Sequence, residues 1–126
     1  MLSFKYINYY LHLEGWQDNA GSFDRLIPLL PRHLSFLAID LPGHGYSSRT
    51  HDGVGYGMLD ILIILNLVMK EYNWSKISLL GHSMGAIISF LYAATYPEKI
   101  NFVVAVDALK PKIFDPKWGK ILCWLI

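Results

Sequence analysis

Apolar residues come in short runs separated by polar, glycine- and proline-bearing stretches, and the runs alternate between strand-like and helix-like spacing. Tyr6–Leu13 predicts a strand that ends at the loop Glu14-Gly15-Trp16-Gln17-Asp18-Asn19. Ser22–Leu30 predicts a short helix, with Ser22 as its cap and Pro28 breaking or restarting it. Leu34–Asp40 is mostly apolar and predicts a strand buried on both faces. Leu41–Gly57 reads as a glycine-rich loop with a Pro42-Gly43 turn. Met58–Tyr72 predicts a helix whose apolar positions wrap most of the way round, so it expects cover on more than one side. Lys76–Leu80 predicts a strand. Met84–Tyr96 predicts a helix of small and apolar residues, suited to close packing on a sheet and stopped by Pro97. Phe102–Val106 is a β-branched strand ending at Asp107.

Strands alternating with helices imply right-handed crossovers and a mainly parallel α/β sheet. Ligands of such sheets sit at the carboxyl ends of strands. Glu14, Asp40, Ser83 and Asp107 all fall near such ends, which makes them the first residues to weigh for chemistry.

Gly81-His82-Ser83-Met84-Gly85 carries the sharpest signal. A serine bracketed by glycines between a strand and a helix is the pattern of a nucleophile elbow, a tight turn that lifts the hydroxyl out of the sheet. The glycines keep side chains out of a crowded turn. The helix N-terminus beyond the serine favours a developing oxyanion. The bland alternative is a serine capping a helix after a tight turn. A serine also needs a base within hydrogen-bond reach. The histidines are His12, His33, His44, His51 and His82, so none follows Ser83 in the sequence.

Composition narrows the classes. The chain has 126 residues, 53% hydrophobic and 17% charged, enough for one domain with a buried core. A formal charge of +1 with scattered Lys and Arg gives no footprint for nucleic acid. Cys123 is alone, so no intrachain disulfide forms, and a reducing, cytoplasmic compartment is expected. Ile61–Met69 is too short to span a bilayer, which takes ~20 apolar residues, and Met1–Leu13 has no small-residue cleavage site. Asn73-Trp74-Ser75 fits a glycosylation sequon of a kind that arises often by chance. No pair of histidines has metal-ligand spacing with cysteine or carboxylate support, so no metal is expected. Gly43-His44-Gly45 and Gly53-Val54-Gly55-Tyr56-Gly57 do not open a helix, so no dinucleotide or other cofactor is expected.

Together Glu14–Asn19, Asp40-Leu41-Pro42-Gly43-His44-Gly45-Tyr46-Ser47 and Gly81–Gly85 resemble the α/β-hydrolase family in order and spacing. Gly15–Pro31, Leu79–Tyr92 and Val106–Pro111 are similar to its serine hydrolase-like (kraken-type) branch. The resemblance implies a partial fold, strands three to six of the family, with residues 1–110 as core and 111–126 as the start of a truncated cap. It implies Ser83 as nucleophile and the backbone N–H groups of Met84 and Trp16 as oxyanion donors. Asp107, 24 residues after Ser83, is a candidate to orient a histidine, or else a cap of the next turn.

The departures are substantial. The family begins with two further strands and continues beyond strand six to the strands that supply its histidine. It typically has His-Gly where this chain has Glu14-Gly15, and His12 is two positions early. Glu14 reads either as a charge unfavourable to an oxyanion or as a drifted residue. Asp40 reads as support for its loop, and His82 as structural or substrate-lining. His44 reads as a loop hydrogen-bonder, and His33 and His51 as exposed. The expected activity is hydrolysis of a small ester or related acyl substrate, with this chain inactive for lack of a base. The alternative is a non-catalytic binding or regulatory fragment. Uncovered sheet edges and the all-apolar stretch Ile121–Ile126 predict self-association.

Overall fold

In the computed structural model, residues 9–49 and 55–108 are described in full and residues 121–123 by their backbone. The first positions of the predicted strand at Tyr6, the glycine run at Gly53, His51, and most of the expected cap start lie outside the described residues. The elements are β1 (Tyr9–Leu13), β2 (Ser35–Ile39), α1 (Met58–Glu71), β3 (Ile77–His82), α2 (Met84–Thr95), β4 (Ile100–Val106) and β5 (Ile121–Cys123). The sheet order is β2-β1-β3-β4-β5, and every pair is parallel. The strand that leads to Ser83 is central, flanked by β1 and β4.

Register divides the sheet into two unlike faces. Leu11, Leu13, Ile77, Leu79, Val103 and Ala105 share one face and form the core with α1 and α2. α1 contributes Ile61, Leu62, Leu65 and Met69. Each fully buried aliphatic side chain there is worth about 1.5–3 kcal/mol. The other face carries Tyr10 and His12 of β1, Phe36 of β2 and Ser78 and Leu80 of β3. Tyr10 meets Phe36 at 5.2 Å and Phe102 at 5.4 Å between ring centroids.

Helix ends are set by local chemistry. The Asp60 carboxylate accepts the Gly57 N–H at 2.8 Å and closes the start of α1. Lys70 sits in its last turn, where a cation suits the helix dipole. A polar contact locks α1 to α2: the Tyr92 hydroxyl donates to Asn66 Oδ1 at 2.9 Å, and the Lys99 ammonium donates to the same oxygen. Burial pushes the Tyr92 phenol up to about 12.

Three expectations are amended. Ser22–Leu30 is not one helix but two 3-10 turns, Ala20–Phe23 and Ile27–Leu29. Their bonds join residues three apart, Pro28 lacks a donor, and only Phe23 is buried, so nothing pulls the segment into a longer helix. The cap is Asn19, whose side chain accepts the Gly21 N–H, rather than Ser22, whose hydroxyl donates to Asp18. The edge expected to lie open beyond β4 carries β5, paired Val103–Ile121 through Ala105–Cys123, so part of the apolar tail adds to the sheet. α1 matches its wrapped pattern: Leu59, Ile63 and Leu67 face outward, 71%, 58% and 57% exposed.

Candidate active site

β3 runs into α2 through one residue, Ser83. Ser83 has φ 49° and ψ −111°, a backbone conformation rare for an L-residue with a side chain. Two glycines make the turn feasible. A Cβ on Gly81 would lie 2.4 Å from the Gly85 carbonyl oxygen, and one on Gly85 would lie 2.2 Å from that of Leu13. The turn is pinned from the side as well. The Ser83 N–H donates to the Val106 carbonyl at 3.0 Å, and the Ser83 carbonyl accepts from Ala86 at 3.1 Å and Ile87 at 3.2 Å. Residues 81–85 therefore form the strand–turn–helix that the glycine bracket predicts. Met84 is the first residue of α2, one of the positions whose N–H has no acceptor within its own helix.

The loop after β1 closes on this turn. The Cβ position of Gly15 lies 3.6 Å from Ser83 Cβ and 3.0 Å from His82 Nδ1. Trp16 follows, 70% exposed, with its ring edge-to-face on His44 at 5.7 Å. The His44 Nδ1 lies 3.2 Å from the Pro42 carbonyl, the loop hydrogen bond expected of it.

Asp107 follows β4 directly, at φ 49°. Its Oδ2 lies 3.8 Å from Nε2 of His82, the last residue of β3. Both side chains reach solvent. His82 and Val106 are in register across β3 and β4, so the strand ends bring Ser83, His82 and Asp107 to one rim of the sheet.

The other polar residues brace this rim. Asp40 accepts the Ala20 N–H at 2.8 Å and the Tyr46 N–H at 2.7 Å, and these bonds hold its carboxyl below the usual range. Its carbonyl accepts the Ser47 hydroxyl at 2.6 Å. Asp40 thus supports its loop, as its position suggested. Glu14 is wholly buried, and one carboxylate oxygen accepts the Leu41 N–H. Burial pushes its carboxyl up, against the pull of that N–H. His12 is buried edge-on between Phe23 at 4.7 Å and Phe36 at 5.3 Å, and burial lowers it to about 4. It is a neutral core residue at neutral pH. Sequence reasoning missed the bond from Glu14 to Leu41, since no local pattern links residues 27 positions apart. Among the described residues no three His, Cys, Asp or Glu side chains come together as a metal site would require, and no helix is long and apolar enough to cross a membrane.

Comparison with known proteins gives this geometry a family. A model of the alpha/beta hydrolase fold matches residues 11–124. A probable serine hydrolase of Drosophila melanogaster is 46% identical over 102 residues, 80% of this chain and 31% of that protein. A pimeloyl-[acyl-carrier protein] methyl ester esterase of Klebsiella pneumoniae is 30% identical over 94 residues, 75% of this chain and 34% of that protein. The crystal structure of a hypothetical protein from Pseudomonas aeruginosa PAO1 superposes with a TM-score of 0.76 at 39% identity, covering 87% of this chain and 39% of that one. The chain thus spans between 31% and 39% of these relatives' length. With its parallel sheet, its glycine-bracketed Ser83 turn and these relatives, the chain belongs to the alpha/beta hydrolase fold family.

Proposed function

We propose that these 126 residues are the nucleophile-bearing part of a serine hydrolase that acts on a small carboxylic ester or related acyl substrate. The observation that carries the reading is Ser83 at positive φ between β3 and α2, in a turn only glycine neighbours permit. Ser83 Oγ attacks the acyl carbon, and its proton passes to a base. The carbonyl oxygen becomes an oxyanion, held by the N–H groups of Met84 and Trp16. Both donors are main-chain groups, so side-chain identity matters little there. Asp107 serves to orient a base. The ester-cleaving relative supports the acyl class of substrate.

The base is the weak point of the 126 residues taken alone. No histidine follows Ser83 in the sequence, His12 is buried among aromatic rings, and His82 faces Asp107 and Gly15. We infer that the isolated chain is inactive at rates typical of serine hydrolases. The test is a fluorophosphonate probe with peptide mapping, with and without added imidazole. A slow adduct on Ser83 that imidazole accelerates supports the reading. An adduct elsewhere, or equal labelling of Ser83→Ala, overturns it and favours a non-catalytic binding fragment.

Two smaller readings accompany this one. Self-association uses the outer edge of β2, beyond which no strand pairs among the described residues. A cytoplasmic location is supported by the single cysteine, and fractionation of cells expressing the chain tests it.

A further inference from the structure

Glu14 is a buried acid that the proposed reaction does not use. Its side chain has no exposure to solvent. One carboxylate oxygen accepts the Leu41 N–H, and the other has no hydrogen-bond partner among the described residues. The residue thus reaches from the end of β1 to the second residue after β2. The backbone on either side of it is pressed onto the elbow. A Cβ on Gly85 would meet the carbonyl oxygens of Leu13 at 2.2 Å and Glu14 at 2.7 Å, and Gly15 abuts His82 and Ser83. One residue further on, the Trp16 ring meets His44 of the same β2 loop. The two loops are therefore joined twice, through Glu14 and Leu41 and through Trp16 and His44, with Gly15 between the joints.

We propose that Glu14 is the positioning residue of the oxyanion loop: by holding the Leu41 N–H, its buried carboxyl fixes the Gly15–Trp16 backbone against the Ser83 turn. This rests on the reading of the Trp16 N–H as an oxyanion donor. A buried N–H stripped of its acceptor is left without a partner that water can replace, so losing the carboxyl forces the loop to shift toward another partner. A misplacement of about 1 Å at such a site costs on the order of 100-fold in rate. The ionisable groups that act on Glu14 are Asp40 and His44, both from the segment after β2.

The experiment compares wild type, Glu14→Gln and Glu14→Leu. It follows backbone amide resonances from pH 4 to 8 and fluorophosphonate labelling of Ser83 in imidazole. In wild type, the Leu41 and Trp16 amides shift together as Glu14 ionises. Glu14→Gln abolishes that titration, keeps the amides near their wild-type positions and labels within a few-fold of wild type. Glu14→Leu displaces both amides and lowers labelling 10- to 100-fold. The proposal is overturned if the titration curves of the Leu41 and Trp16 amides coincide in wild type and Glu14→Gln, so that the only titration seen is that of His44 and His82 beside Trp16 and Gly15, or if folded Glu14→Leu leaves both amides and labelling unchanged. If Glu14→Leu does not fold, the titration in Glu14→Gln decides. If no variant labels at Ser83 while the amides respond as stated, the hydrolase reading fails and the tie through Glu14 stands.

Discussion

A Cβ added to Gly85 would lie 2.2 Å from the carbonyl oxygen of Leu13, a contact with backbone that no rotamer change relieves. The first turn of α2 can therefore lie against the end of β1 only because residue 85 has no side chain. Gly85→Ala should destabilise the chain by about 3 kcal/mol or more. Denaturant midpoints of the two proteins check this, and an unchanged midpoint would show that β1 and the elbow are not in contact.

Ser83 holds φ 49° and ψ −111°, which costs of order 1–3 kcal/mol for a residue with a Cβ. Ser83→Gly should therefore stabilise the fold by about 1 kcal/mol, while Ser83→Ala should not. Equal midpoints for the Gly and Ala variants would mean that the turn is unstrained.

How much of this the sequence disclosed depends on the range of the interaction. The Gly81–Gly85 bracket is local, and it predicted the turn, the strand before it and the helix after it. The parallel direction of the strands followed from their alternation with helices. Non-local features were hidden. Nothing near Glu14 announces Leu41, and nothing near Ile121 announces β4 as its partner. The Ser22–Leu30 segment was misjudged because its apolar residues, Leu29 at 82% exposure among them, do not face a core. The candidate site was legible as residue types, but the approach of Asp107 to His82 required the register of β3 against β4.

His12 gives a pH signature. Burial lowers its folded value from 6.5 to about 4, so the unfolded chain binds the proton more readily. Its contribution is complete above pH 6.5 and is lost as the pH falls toward 4, on the order of 3 kcal/mol in all. His12→Leu should flatten the stability profile across that window. Glu14 works in the opposite sense: its raised value makes stability fall as the pH rises through it. A wild-type profile that is flat between pH 6.5 and 4 and unaltered by His12→Leu would contradict the buried, neutral imidazole.

Asp40 receives N–H groups from Ala20 and Tyr46, two segments on either side of β2. Asp40→Ala should cost about 1–3 kcal/mol and raise amide exchange at both positions. Its carboxyl is held low, so its contribution is present above pH 3.8 and fades as the pH falls through the lowered value. Unchanged exchange at Ala20 and Tyr46 in the variant would remove Asp40 from its bracing role.

The central claim is that Ser83 is a nucleophile in a formed turn that lacks only a base among these residues. Hydrolysis of an activated ester by the chain and by Ser83→Ala, each over a range of imidazole concentrations, tests it most directly. The account predicts little turnover without imidazole and a saturable, imidazole-dependent rate above the uncatalysed background in wild type alone. Efficient turnover without imidazole that Ser83→Ala abolishes would reveal an internal base, and identical rates in the two proteins would show that Ser83 is not the nucleophile.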